Sequence, residues 1–403
     1  MSGNGAIREK NKNLILNYLR NEGPSSRANI SRDLKISKPA ISRNVEELIN
    51  SGIIYELGKD SNKLGKKATL IAVNEKKAYL VGVDIGNYKL RVGLAELTGR
   101  IIDVAEIPTN PSKNGIRIIS DIDDLIVNLC EKNDCSERDI RYLCIGFPGI
   151  HDTVTKTNLL TPFIGDWEHV QIDEYFHNKY GINTIIENNV NLAAIGEYGI
   201  RLDENNVNIE NLVYINLGVG IGAGVILNGK LVNGSNNAAG EIGFSRFSLR
   251  GINPGNNVSG EFEQCVSVNC WIPRYNKLVH DKNTLDTSQS SVETVFQRYE
   301  QGEEAATRIV NEILDSLSLL LINITALLNI QIVIIGGGLG NCISKYIPVL
   351  IERLKSNTPF PPNIEKAKGG ALSGVYGAVR LCEQLISSDY RLLIEPVGTT
   401  QTK

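Results

Sequence analysis

Ile185-Ile186-Glu187-Asn188-Asn189-Val190-Asn191 is the stretch on which the reading of the fold turns. The apolar run from Ile182 to Ile186 predicts a buried strand, and Leu192-Ala193-Ala194-Ile195-Gly196-Glu197 opens a helix. Between them Glu187, Asn188, Asn189 and Asn191 crowd polar groups at the carboxyl end of a strand, where open α/β sheets bind ligands. Asn188 and Asn189 carry carboxamides that can donate to and accept from a ligand hydroxyl, and neither takes up a proton at neutral pH. The plainer alternative is a polar strand-to-helix turn with Asn189 as its N-cap.

Around this stretch lie 403 residues, too many for one core, so two or three domains are expected. The composition, 42% hydrophobic and 22% charged with 38 glycines, is that of an ordinary globular protein with many tight loops. No apolar run approaches the roughly 20 residues of a membrane span, and no signal-peptide segment opens the chain, so a cytoplasmic protein with no membrane partner is expected. Seven cysteines without close pairs fit reduced thiols. Residues 1–67 hold 13 Lys/Arg against 7 Asp/Glu, a net of +6; the whole chain is −3, so the remainder is −9. A basic head on an acidic body suggests an anionic partner for the head.

Within that head, helical patterning predicts a first helix from Arg8 to Asn21 with Leu14, Ile15, Tyr18 and Leu19 on one face. A second starts at Ser25-Ser26, and a third follows Ser37 with Pro39 in its first turn, burying Ile41, Val45, Leu48 and Ile49. Two strand-like runs, 53–57 and 68–73, flank a basic loop. Three short helices and a basic hairpin make a winged helix-turn-helix, whose third helix enters the major groove. Ser37, Lys38, Ser42, Arg43 and Asn44 are the candidate base readers, with Arg43 suited to guanine and Asn44 to adenine. Lys63, Lys66 and Lys67 on the wing, with Arg27 and Arg32, are phosphate candidates. The alternative is a helical protein-interaction domain with a solvated basic face.

Further along, Tyr79 to Gly86 reads as a strand and tight turn, with Lys89 to Leu97 as its hairpin partner. Leu212 to Ile226 reads as two apolar strands joined through Gly218, Gly220 and Gly222, and Gly336-Gly337-Gly338 follows a later strand. Together with 187–191 these motifs resemble, in order and spacing, the ROK family of repressors and sugar kinases, over roughly residues 8–386. The resemblance implies an actin-like, ribonuclease H-like two-lobed α/β fold. The expected division is a head over 1–75 and a first lobe over 76–195 completed by a C-terminal helix at 374–386. The second lobe, sugar-binding and dimerising, covers 196–373, and a mobile tail covers 387–403.

The departures from the family pattern carry the functional expectation. Asn189 stands at the place of the Asp that activates the sugar hydroxyl, so no catalytic residue is assigned. Asn87 and Tyr88 stand where the first phosphate loop has Gly and Thr, Val219 replaces the Thr of the second, and Phe163 replaces an Asn beside the sugar. The structural zinc implied by the family lacks its His and three Cys, with Phe244, Pro254, Asn256 and Glu261 in their places. No metal and no cofactor are therefore expected, and Cys265 and Cys270 read as buried thiols. Glu241 and Glu263 stand where the family places sugar-hydroxyl acceptors, and carboxylates suit polyols. Phe244 offers a face to a sugar ring or fills the vacated metal site.

The resemblance, nearest to the xylose-repressor branch, implies a sugar-responsive repressor rather than an enzyme. It would bind operator DNA as a homodimer or dimer of dimers and hold a sugar effector through Asn188, Asn189, Glu241, Phe244 and Glu263. The competing readings are a ROK sugar kinase that carries a DNA-binding head, and a DNA-binding protein with a vestigial pocket.

Overall fold

The computed structural model describes residues 3–59, 68–110, 114–152, 157–159, 170–204, 208–248, 260–280 and 290–393. The head is built from α1 (Gly3–Glu22), β1 (Ser25–Ser26), α2 (Arg27–Leu34), α3 (Lys38–Asn50), β2 (Ile54–Lys59) and β3 (Thr69–Val73). Ser26 caps α2 by accepting from the Asn29 N–H at 3.2 Å. Ser37 holds the N-cap position of α3 without a side-chain cap bond. Unforeseen, the two residues of β1 pair antiparallel with β3 and make the wing sheet three-stranded.

Next come β4 (Tyr79–Ile85), β5 (Lys89–Glu96), β6 (Ile101–Pro108), α4 (Gly115–Lys132) and β7 (Ile140–Phe147). The small hairpin β8 (Ile150–Asp152) and β9 (Thr157–Leu159) leads to α5 (Ile172–Tyr180), β10 (Asn183–Asn188) and α6 (Asn189–Glu204). The second lobe holds β11 (Leu212–Leu217), β12 (Ile221–Leu227), β13 (Lys230–Leu231), α7 (Glu261–Val266), α8 (Val268–His280), α9 (Val292–Glu300) and α10 (Glu304–Leu328). It ends with β14 (Ile332–Gly336), α11 (Gly340–Ile343), α12 (Ile347–Asn357) and β15 (Asn363–Lys366), after which α13 (Ser373–Ser388) returns to the first lobe.

The two five-stranded sheets share one plan. Their orders are β10-β7-β4-β5-β6 and β13-β12-β11-β14-β15. In each, a three-stranded antiparallel meander is extended on its first strand by two parallel strands. The expected lobe boundary at 195/196 falls inside α6, which continues unbroken from one lobe into the other. Helix α10 is long and apolar enough to cross a bilayer, a length the expected apolar runs fell short of. It is a core helix: 56% of its most apolar window is buried, with Ile309, Ile313, Leu317 and Leu321 packed against the second sheet.

Helices α6 and α13 cross at glycines. A Cβ on Gly377 would lie 1.7 Å from the Leu192 carbonyl oxygen, and one on Gly196 would lie 2.1 Å from that of Ser373. Only bare backbone permits this approach. Through this contact α13 buries Ala378, Val379, Cys382 and Ile386 in the core that also holds Leu80 and Cys144 of the first sheet. That same core takes in Ile15, Leu16, Leu19, Ile30, Ile41, Val45 and Leu48, so head and first lobe share one apolar interior. On α1 the buried face is Ile15, Leu16 and Leu19; Leu14, expected inside, is 37% exposed. The chain is ordered past the tail boundary expected at 387: α13 runs to Ser388, and Tyr390 and Leu393 are buried beside α1. All seven cysteines are free, with Cys265 and Cys270 half-buried rather than buried.

Candidate functional site

The corner at the end of β10 is built by its own amides. Asn188 is the true cap: its Oδ1 accepts from the N–H groups of Val190 (2.8 Å) and Asn191 (3.2 Å), and its Nδ2 donates to the Gly149 carbonyl at 2.9 Å. Asn189, the capping candidate from sequence, instead starts the helix and donates its Nδ2 to the Ile85 carbonyl at 3.2 Å. Glu187 accepts from Asn191 Nδ2 at 2.9 Å, which locks the corner further. Much of the hydrogen-bonding capacity of Asn188 is therefore spent on shape, and Asn189 keeps its amide oxygen for a ligand. Val190 packs against Gly222 of β12, which seats the corner on the second lobe.

On the other side of β12, the Ala223 N–H donates to the Gly240 carbonyl at 2.8 Å. Gly240 has φ +92°, and a Cβ there would sit 1.8 Å from the Ala223 carbonyl oxygen, so the turn carrying Glu241 requires glycine. Beyond it Gly243 lies under the Glu263 side chain, whose Cδ would be 3.8 Å from an added Cβ. Glu241 and Glu263 are both half-buried and neighbours, and among the described residues no cation pairs with either. Burial pushes Glu241 above the usual carboxylate range, and the charge of Glu263 adds to it. Burial raises Glu263 in the same way. With no cation beside them among the described residues, these two desolvated carboxylates are acceptors that ligand hydroxyls would satisfy. Phe244 is 45% exposed, so it presents a ring face and does not fill the core.

Glu261, at one of the family's cysteine positions, holds its loop by hydrogen bonds. Its carboxylate accepts from the N–H groups of Phe247 (3.0 Å) and Ser248 (3.1 Å) and from Ser248 Oγ (3.2 Å). These bonds, that of Phe247 first, lower its pKa. In the first phosphate-type loop, the Gly86 N–H donates to the Lys89 carbonyl at 3.0 Å while Tyr88 projects outward, 71% exposed. Burial pushes Asp84 up to about 6 against the pull of Arg91, 3.7 Å away. In the second loop Val219 is buried, and its carbonyl accepts from Ser267 Oγ at 2.7 Å. Phe163 lies outside the described residues.

The head presents a separate surface. On α3, Ser37, Lys38, Ser42 and Arg43 are exposed, and among the described residues no carboxylate pairs with Lys38 or Arg43. Asn44 corrects the expectation of an adenine reader. It is 3% exposed, its Nδ2 donates to the Ala40 carbonyl at 2.8 Å, and it faces the core because it lies one turn from both Ile41 and Leu48. Sequence reasoning passed over Glu46, exposed one turn beyond Ser42 and Arg43 and beside an open groove of about 760 Å³. A carboxylate at that position can accept from the amino group of cytosine. Arg27 and Arg32 are engaged with Glu56 (2.9 Å) and Asp33 (2.8 Å). The wing lysines Lys63, Lys66 and Lys67 lie outside the described residues.

Comparison with known proteins agrees with this geometry. The winged helix-turn-helix DNA-binding profile matches residues 8–55, and the ROK family profile matches residues 80–385. The chain is 25% identical over 370 residues to the xylose repressor of Caldicellulosiruptor bescii, covering 88% of each, and 26% identical over 359 residues to that of Staphylococcus xylosus, covering 87% of each. It is 27% identical over 287 residues to a glucokinase of Halalkalibacterium halodurans, covering 69% of this chain and 84% of that one. Among solved structures, a ROK family transcriptional regulator homologous to the E. coli MLC protein superposes with a TM-score of 0.78 at 17% identity, over 97% of this chain and 99% of that one. A putative N-acetylmannosamine kinase from Listeria monocytogenes superposes at 0.63 and 22% identity, over 76% and 99%. With its kinase-like body and its winged head both matched, the chain belongs to the ROK family.

Proposed function

We propose that this protein is a sugar-responsive transcriptional repressor that binds operator DNA through its head and a small sugar in the interlobe cleft. The observation that carries the reading is the combination of an exposed basic face on α3 with a strand-end corner that holds an amide at Asn189. An amide cannot take the proton from a sugar hydroxyl, and a general base contributes on the order of 10² to 10⁴ in rate. Binding energy is then free to act on conformation alone. Ser37, Lys38, Ser42, Arg43 and Glu46 read the operator, and Lys63, Lys66 and Lys67 add phosphate contacts. The amide oxygen of Asn189, the carboxylates of Glu241 and Glu263 and the Phe244 ring hold the sugar, with Asn188 fixing their shape. D-xylose is the first sugar to test, because the relatives named above are xylose repressors. Paired heads on a homodimer or dimer of dimers would set half-site spacing.

A glucokinase relative favours the second reading, a sugar kinase with a DNA-binding head. One experiment separates the two: select the preferred duplex, then measure its release by a sugar panel and, in parallel, sugar-dependent ADP formation with ATP and Mg²⁺. Release by a sugar alone supports the repressor. Turnover on the order of 1–10³ s⁻¹, the ordinary enzyme range, establishes the kinase instead.

A further inference from the structure

Beside the apolar interior that head and body share runs a polar joint that belongs to neither binding face. At one end of α13, Gly374 abuts Asp84, whose Cγ would be 2.8 Å from an added Cβ. There too Ser373 Oγ donates to Glu197 of α6 at 2.7 Å, and Gly377 rides on the Leu192 carbonyl, one turn past the Asn188 corner. At the other end, α1 reads the helix terminus. Asn17 Nδ2 donates to the Ser387 carbonyl (3.0 Å), Asn13 Nδ2 donates to that of Ser388 (2.9 Å), and Asn13 Oδ1 accepts from the Tyr390 N–H (2.7 Å). Lys12, 8% exposed, donates to the Tyr390 hydroxyl at 2.8 Å, which donates to Glu9 at 2.6 Å. Arg20 donates to Ser387 Oγ at 2.6 Å and stands 2.8 Å from Glu383.

We propose that α13 and the turn at Tyr390 transmit occupancy of the cleft to the head, and that the polar stripe of α1 is the clasp through which they do so. The inference rests on the sugar-sensor reading and adds the route of its regulation. Helix α13, 16 residues long, spans about 24 Å, packing on Asp84 and on the Leu192 turn behind the Asn188 corner at one end and on the head at the other. The carbonyls of Ser387 and Ser388 belong to its last turn, which water ordinarily satisfies. Here asparagines of α1 take them, so the joint depends on register in a way an apolar contact does not. A sliding or rotating α13 strands the part-buried Asn17 amide and the buried Arg20 guanidinium unless α1 moves with it, and that cost makes the joint prefer discrete positions.

The test uses the full chain with Asn13→Ala/Asn17→Ala together, and Tyr390→Phe separately. Alanine favours the helix, so α1 persists, and the phenylalanine variant keeps the buried ring. Calorimetry with D-xylose and the rest of the sugar panel should give parental Kd values, and affinity for a single half-site should match the parent. The sugar-induced change in operator affinity, of order 5- to 150-fold for a coupling of ordinary size, should fall below about threefold in the double variant. Tyr390→Phe should give a partial loss. A variant pair that keeps the full parental response overturns the proposal. If the parent responds to no sugar, the sensor reading itself falls, and operators of altered half-site spacing still decide the clasp. Loss of the parental spacing preference in the double variant supports it, and retention overturns it.

Discussion

Replacing Glu197 by alanine puts the hinge at the cleft end of α13 to a direct test. Its carboxylate is fully buried and accepts from Ser373 Oγ (2.7 Å), the Gly369 N–H (2.7 Å), the Lys368 N–H (2.9 Å) and Arg201. These partners tie α6, which carries the chain into the second lobe, to the 367–373 connector that brings it back. Removal strands Arg201, 1% exposed, whose remaining carboxylate partner Glu365 is 43% exposed. Breaking a buried pair from one side costs about 3–5 kcal/mol when the surviving charge is left without compensation, and the bonds Arg201 keeps to Glu365 hold the cost at the lower end. The two abandoned N–H groups add about 1–3 kcal/mol each unless water reaches them, though such terms are not additive. The expectation is a loss of at least about 4 kcal/mol. Glu197→Gln keeps the shape and one acceptor and should lose about half as much. Because separate lobes need not unfold in one step, the assay is native-state hydrogen exchange on the α13 amides alongside urea unfolding. Undiminished α13 protection in Glu197→Ala, with a change under about 1 kcal/mol, would refute the hinge argument.

Three further outcomes follow from the same geometry. Glu241→Gln and Glu263→Gln should each weaken sugar binding by about 10- to 150-fold, the worth of a hydrogen bond to a charged group, with unliganded operator affinity unchanged. In the parent, sugar affinity measured by calorimetry should climb with pH as these two raised carboxyls ionise. Arg43→Ala should cost about 1–3 kcal/mol and relax the operator sequence at one position, whereas Asn44→Ala should leave the selected sequence unchanged. Asp84 binds its proton more tightly folded (about 6) than at its ordinary 3.8, so its contribution is fully present below pH 4 and is lost as pH rises through 6. That amounts to about 3 kcal/mol, and Asp84→Asn should flatten the stability profile across the window in urea titrations at stepped pH.

Local signals carried the architecture. Apolar runs bounded by glycines located β4, β11, β12 and β14, and the three-helix rhythm located the head, because strand and helix periodicities are written in neighbouring residues. The cleft residues were legible as chemical types, but their division of labour was not. That Asn188 caps and Asn189 contacts Ile85 depends on a strand more than 100 residues earlier. Asn44 carries a local signal: three residues after Ile41 and four before Leu48, it shares their face of α3. Leu14 and Leu16 are equally apolar, and only the partner of α1 decides between them. The partners of Glu197, Glu261 and Tyr390 come from other segments, which no local pattern reveals; Tyr390 and Glu9 lie 381 residues apart.

The placement of α13 has a consequence for how the protein is made. The first lobe's sheet is synthesised well before Ala378, Val379, Cys382 and Ile386, which cover its back and meet the head. A nascent chain therefore emerges from the ribosome with Leu80, Cys144 and the inner side of α1 uncovered until the codons of α13 have been read. A message truncated there would yield a polypeptide with that apolar surface bare, a target for chaperones or proteolysis and not a half-active regulator.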